Sequence, residues 1–72
     1  MTEKKPSDLQ SGGTHYKGFA IQPAEYIHKN GIGFLAGAVV KYVTRYKLKN
    51  GRQDLEKAIH CLQMMIEYDY PE

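Results

Sequence analysis

Apolar residues recur at intervals of three or four along the second half of the chain, which is the spacing of helices that bury one face. Over residues 34–49 this spacing predicts the longest helix of the protein, and Asn50-Gly51 supplies a stop signal at its C-terminal end. The expected core stripe of this helix consists of Leu35, Val39, Tyr42, Val43 and Tyr46.

Two further helices are predicted on either side of this segment. The first spans Pro23–Lys29, because proline suits the first position of a helix and Asn30-Gly31 follows as a stop. The third begins at Gln53 or Asp54, ends at Tyr68 and is followed by Pro71. Its expected core stripe consists of Leu55, Ala58, Ile59, Leu62 and Ile66.

The N-terminal part lacks this pattern. Residues 1–13 are polar and offer almost nothing to bury, which predicts a loose, disordered tail. Residues 14–22 are mixed, with a glycine breaker, and suit an extended arm on the surface of the helices. The expected architecture is therefore all-α: residues 14–72 form one domain with a short helix, a long helical hairpin and an N-terminal arm.

The small size of the chain predicts self-association. A domain of 72 residues buries only about 60% of the surface that its unfolded chain exposes, so its own core is marginal. Cys61 is the only cysteine, which excludes an internal disulfide and is typical of a small buried hydrophobe. Together with Met64 and Met65 it widens the third apolar stripe beyond what one neighbouring helix covers. A homo-oligomer follows as the expected state.

No apolar run approaches the roughly 20 residues of a membrane span, and the N-terminus lacks the apolar core of a signal peptide. We therefore expect a cytoplasmic protein without a membrane partner. The net charge of +2 is too small to predict bulk nucleic acid as a partner. Its distribution is uneven, however, since six of the ten Lys and Arg residues lie at positions 41–57.

The first candidate site is a basic ridge along the middle helix. Its cations recur every four residues and therefore share one side of a helix, with tyrosines beside them. The ridge consists of Lys41, Arg45 and Lys49, flanked by Tyr42 and Tyr46. Cations and tyrosine rings together suit phosphate, ribose and base contacts. The alternative is a solvated basic face beside core tyrosines, which is the usual meaning of such a stripe.

Two smaller candidates accompany the ridge. The corner before the third helix places free backbone N–H groups beside cations, an anion-binding arrangement that includes Arg52 and Asp54; the alternative is an ordinary capped turn. The N-terminal arm is the other candidate. It could close over a ligand pocket as a lid, and the alternative is that it only covers an edge of the domain. Its polar residues are Thr14, His15, Tyr16 and Lys17.

Several catalytic patterns are missing from the sequence: the GxxxxGK[ST] phosphate loop, HExxH, paired cysteines and GxSxG. His60 and Cys61 are disfavoured as joint metal ligands, because neighbouring side chains on a helix point about 100° apart. We expect no catalytic residue, no metal site and no resident cofactor. Magnesium would enter only with ATP, if the protein were a kinase.

Between residues 13 and 67 the chain resembles the SaV-like family of small bacteriophage proteins. The resemblance is carried by THY at residues 14–16, QPAEYI at 22–27 and KYVTRYKLKNGRQDLEKAIH at 41–60. It implies a phage protein that acts in the cytoplasm of the infected bacterium. Part of that family is described as having nucleotide kinase activity, which implies a nucleotide ligand and favours the ridge as a site.

These observations lead to three hypotheses. The first is a phage protein that sequesters a host nucleotide immune signal, of the cyclic dinucleotide or cyclic ADP-ribose type, in pockets between subunits and so inhibits anti-phage defence. The second is a nucleoside monophosphate kinase, and the third is a protein-interaction module that acts on a host enzyme. Under the first two, Arg45→Ala is expected to weaken binding by roughly 1.5–3 kcal/mol and to leave the fold intact.

Overall fold

The computed structural model describes residues 18–72, which form three α-helices and no strand. The helices are α1 (Pro23–Lys29), α2 (Phe34–Arg45) and α3 (Arg52–Asp69), and a short 3-10 helix, Tyr46–Leu48, follows α2. The predicted all-α class is confirmed for this part of the chain. None of its helices is both long and apolar enough to cross a membrane. The tail and the candidate lid residues Thr14, His15, Tyr16 and Lys17 lie outside the described residues.

Helix α1 has the predicted bounds, because local signals fix both of its ends. Pro23 is its first residue, and the carbonyl oxygen of Gln22 accepts hydrogen bonds from the N–H groups of Glu25 and Tyr26 at 3.1 and 3.2 Å. At the other end, Asn30 Nδ2 donates to the carbonyl oxygen of Tyr26 at 2.9 Å.

Helix α2 ends at Arg45, four residues before the predicted end. The Tyr46 carbonyl accepts a hydrogen bond from the Lys49 N–H at 3.5 Å, which closes the 3-10 helix, and one from the Gly51 N–H at 2.7 Å, which turns the chain back. Gly51 has φ 56°, a left-handed conformation that favours glycine, and it precedes the first residue of α3. Helix α3, with 18 residues, is therefore the longest helix and begins at Arg52.

Helices α2 and α3 form a hairpin, and α1 packs against α2. The contact between α1 and α2 depends on Gly37, which is buried. A Cβ atom at this position would lie 3.0 Å from Ile27 Cγ2, closer than an ordinary van der Waals contact. The absence of a side chain at Gly37 thus allows α1 to approach α2 closely.

The buried face of α3 is not the predicted core stripe. Its buried residues are Asp54, Ala58 and Cys61, so the prediction for Ala58 and for a buried Cys61 is confirmed. The larger aliphatic residues of the predicted stripe are exposed instead: Ile59 is 54%, Leu62 45% and Ile66 62% exposed. The inward face instead carries the small side chains of Ala58 and Cys61, together with Asp54, which forms an ion pair with Arg45 of α2.

Candidate functional site

A buried ion pair joins the end of α2 to the beginning of α3. Arg45 Nε and Nη2 donate to the two carboxylate oxygens of Asp54, each at 3.3 Å. Asp54 has no exposed surface and Arg45 is only 7% exposed. A guanidinium that meets a carboxylate through two parallel N–H groups fixes both direction and distance. The pair therefore sets how the two helices meet at the loop end of the hairpin.

Asn50 completes the environment of this carboxylate. Its backbone N–H and its Nδ2 each donate to Asp54 at 3.3 Å, so the carboxylate accepts four hydrogen bonds from two residues. Burial by itself raises the pKa of Asp54, but the hydrogen bonds from Arg45 and Asn50 and the charge of Arg45 outweigh it and lower the pKa below 3.8. Asp54 thus remains ionised at neutral pH and closes the loop between the helices.

The predicted basic ridge is interrupted by this pair, which corrects the expected geometry. Lys41 is exposed on α2, but Arg45 turns into the hairpin toward Asp54. Lys49 lies beyond the end of α2, in the turn after the 3-10 helix, so it does not continue the same helical line. The physical reason is a tertiary contact: the carboxylate of Asp54, nine residues further along the chain, forms an ion pair with the guanidinium of Arg45.

The ring of Tyr42 has a cation from each of two helices within cation–π range. Arg45 Cζ is 5.1 Å and Lys57 Nζ 5.7 Å from the centroid of its ring, within the range of cation–π attraction. Tyr46 has a similar neighbour, Lys47 Nζ, at 6.0 Å. Lys57 was absent from the residues predicted from the sequence. Its place over Tyr42 depends on the register of α2 against α3, which no local spacing reveals.

The loop end of the hairpin concentrates positive charge; we call it the cationic end. Positions 41–57 hold six Lys and Arg residues against Asp54 and Glu56, a formal balance of +4, since 6 − 2 = 4. The buried pair neutralises one of the cations, and five remain exposed. The exposed cations are Lys41, Lys47, Lys49, Arg52 and Lys57.

Arg52 already has a partner on its own helix, and this contact is weak. Its Nε lies 3.0 Å from Glu56 Oε2, with the two side chains 90% and 59% exposed. Exposed pairs of this kind contribute only about 0.3–0.5 kcal/mol and are screened by salt. A more strongly charged anion can therefore displace Glu56 at little cost, and Arg52 stays a candidate for phosphate binding.

An open cleft of about 370 Å³ lies at the opposite end of the hairpin. It is formed by the beginning of α2 and the end of α3, with Phe34, Leu35, Met65 and Tyr68 in its lining. Of the sequence-predicted site residues that the structure describes, none lines it. Its apolar lining does not match phosphate chemistry, whereas the cationic end does.

Residues 18–72 contain no group of three His, Cys, Asp or Glu side chains placed to hold a metal ion. A family model described as a protein of unknown function (DUF3310) matches residues 4–63 of the chain. This match covers more than four fifths of the sequence. No curated protein and no solved structure gives a significant match.

Proposed function

The chain belongs to the DUF3310 family, which carries no assigned activity, and we propose from the chemistry of its own residues that it binds a phosphate-bearing nucleotide at the cationic end. The observation that carries this proposal is the Tyr42 ring, whose centroid lies 5.7 Å from the exposed Lys57 ammonium and 5.1 Å from the buried Arg45 guanidinium. An aromatic face beside several cations suits a ligand that has both a base and phosphates.

The residues of the cationic end that would contact the ligand have two roles. Exposed cations supply the charge-assisted hydrogen bonds to phosphate, and the tyrosine rings supply stacking surface. The phosphate ligands in this proposal are Lys41, Lys49, Arg52 and Lys57, and the stacking residues are Tyr42 and Tyr46. Arg45 and Asp54, which are bonded to each other, hold the two helices in place under the ligand.

The arm residues, which lie outside the residues that the structure describes, are proposed as a lid from their sequence alone. Thr14, His15, Tyr16 and Lys17 supply hydroxyl, imidazole and ammonium groups, all of which can contact phosphate or ribose. A helical hairpin of this size offers one wall of a pocket, so the proposed pocket lies between copies of the chain.

The proposed role is sequestration, in which the nucleotide is held and released unchanged. The resemblance to SaV-like phage proteins supports a role in the cytoplasm of an infected bacterium, where the ligand would be a host immune signal such as a cyclic dinucleotide or a cyclic ADP-ribose derivative. Holding such a molecule lowers its free concentration and so inhibits the defence that it activates. Binding a nucleotide without converting it also needs fewer protein side chains than phosphoryl transfer, in which the protein must orient two nucleotides and a metal ion.

Calorimetry and native mass spectrometry of the full chain test this proposal, with cyclic di-AMP and cyclic ADP-ribose as probes. We expect saturable binding of at least one probe, and recovery of that probe unchanged after heat denaturation. Tyr42→Leu should weaken binding by about 1–3 kcal/mol, the contribution of stacking a base on an aromatic ring. The matched variant Tyr42→Phe keeps the ring and should bind nearly as well. Failure of both probes to bind would overturn the proposal.

Two outcomes would favour the alternatives. Transfer of label from ATP and Mg²⁺ to a nucleoside monophosphate, in amounts that exceed the protein, would identify a kinase. Absence of nucleotide binding together with stoichiometric association with one purified host enzyme would identify an interaction module. The exposed apolar residues of α3 are the surface that an interaction module would use.

A further inference from the structure

Helix α3 carries a second apolar stripe beside the one that packs on α2. Leu55, Ile59, Leu62 and Ile66 follow one another at intervals of four, three and four residues. This is the spacing by which two helices meet along a coiled-coil seam. We call these four residues the α3 seam.

The α3 seam is directed away from the hairpin core. Each of its residues follows, by one position, a residue of the inward stripe that begins with Asp54, Ala58 and Cys61. One position is about 100° around a helix, so the two stripes point in nearly perpendicular directions. Leu55 is half-buried, while the other three seam residues are between 45% and 62% exposed. Three consecutive large aliphatic residues on one exposed line form a patch of the kind that marks a protein interface.

Opposite charges stand at the two ends of the α3 seam. Arg52 precedes Leu55 by three residues, and Asp69 follows Ile66 by three residues, so both continue the same line. Both are exposed. The complete line therefore runs from a cation through four aliphatic residues to an anion, with intervals of three, four, three, four and three. This order of intervals is the same in both directions along the helix.

We propose that the α3 seam binds the α3 seam of a second copy of this chain, with the two helices antiparallel and related by a two-fold axis between Ile59 and Leu62. In this arrangement Arg52 meets Asp69 of the second copy at each end of the contact. Leu55 meets Ile66, and Ile59 meets Leu62, so that aliphatic residues face only aliphatic residues. A two-fold axis makes the same patch complementary to itself, as closed homodimers require.

The antiparallel direction follows from charge. Parallel helices would set Arg52 against Arg52 and Asp69 against Asp69, and like charges on a shared line repel. Antiparallel helices replace both repulsions with opposite-charge pairs and also oppose the two helix dipoles. The inference needs no ligand, and it stands whether or not the chain binds a nucleotide.

Sedimentation analysis of the full chain over a range of concentrations tests the contact. The unmodified chain should sediment as a dimer or a multiple of a dimer. Ile59→Lys places a charge in the middle of the seam and should lower the association constant at least about tenfold, which is the effect expected at the centre of an interface. The matched control is His60→Lys, because His60 is exposed on α3 but lies off the seam. Equal association of the two variants, or a monomeric unmodified chain, would overturn the proposal.

Charge exchange at the ends of the seam tests the direction, and it does not endanger the fold. Arg52→Asp and Asp69→Arg should each weaken association severalfold, since each creates two like-charge contacts in the antiparallel pair. The doubly exchanged chain should associate as tightly as the original. Arg52→Asp also removes the weak exposed ion pair with Glu56. Both changes place their new charge favourably in the helix dipole, which offsets that loss, so circular dichroism should show the helix retained in each single variant. A double variant no tighter than either single one would overturn the antiparallel arrangement.

Discussion

Arg45 and Asp54 meet across the loop of the hairpin through two hydrogen bonds of 3.3 Å, and both are buried. A guanidinium is the group best suited to bind an external phosphate, but the one of Arg45 is paired with a carboxylate of the same chain. Asn50 binds the same carboxylate, so the loop and both helix ends are joined at one point. The stability of the hairpin and the position of the exposed cations around it therefore depend on the same pair.

Removal of either partner of this pair should destabilise the fold. Arg45→Ala leaves Asp54 as a buried, unpaired carboxylate, a change that costs about 3–5 kcal/mol and is a large fraction of the stability of a small domain. This expectation replaces the one drawn from sequence, that Arg45→Ala leaves the fold intact. Urea unfolding followed by circular dichroism measures the loss.

Two controls make this measurement specific. Glu25→Ala removes an exposed ion pair with Lys29 and should cost less than about 1 kcal/mol. The double variant Arg45→Met, Asp54→Leu replaces both charges with apolar groups and should recover much of the lost stability. If Arg45→Ala unfolded no more easily than Glu25→Ala, the pair would not be a determinant of the fold.

Acid should weaken the fold through Asp54. The pKa of this carboxyl is lowered in the folded state, so the unfolded chain takes up the proton more readily. The stabilising contribution is complete well above pH 3.8 and is lost as the pH falls through the lower folded pKa. The urea midpoint should therefore drop between pH 5 and pH 3, and Asp54→Asn should flatten this drop. An equal drop in Asp54→Asn would assign the acid sensitivity to other carboxyls.

The fold was predictable where one local signal fixes the structure. Pro23 and Asn30-Gly31 determine the ends of α1, and these bounds were predicted correctly. The end of α2 was not predictable. The Gly51 N–H donates a hydrogen bond to the Tyr46 carbonyl, and this bond does not follow from apolar spacing. The inward stripe of α3 was predicted only in part, at Ala58 and Cys61. It begins with a charged residue, Asp54, and apolar spacing assigns such a residue to the surface.

The candidate site, like the fold, was predictable from the sequence only in part. The concentration of cations at positions 41–57 is visible in the sequence and marks the cationic end. Which cation is buried and which lies over a ring is set by the packing of α2 on α3. Spacing placed Arg45 on the exposed ridge and gave Lys57 no role, whereas in the structure Arg45 is bonded inside the hairpin and Lys57 lies over Tyr42.

The close approach of α1 and α2 predicts a penalty for a side chain at Gly37. In Gly37→Val the added Cβ alone would lie 3.0 Å from Ile27 Cγ2, and the methyl groups would come closer still. Such overpacking costs about 1–3 kcal/mol. Urea unfolding should show that Ile27→Ala and Gly37→Val together cost less than the sum of the single changes, because the smaller residue makes room. Strictly additive costs would mean that the two residues do not press on each other.

The packing of α2 against α3 brings Lys57 over the ring of Tyr42. We therefore predict that Lys57 takes part in ligand binding, a role that the sequence alone did not indicate. Lys57→Gln should weaken binding of whichever probe the unmodified chain binds by roughly 1.5–3 kcal/mol, the range for hydrogen bonds to charged groups. Lys29→Gln is the matched control, since it removes an exposed lysine from α1 instead of the cationic end. Raising the salt concentration should reduce the difference between the two variants, because ions screen exposed charges. Calorimetry at two salt concentrations measures both effects, and equal affinity of the two variants would exclude Lys57 from the site.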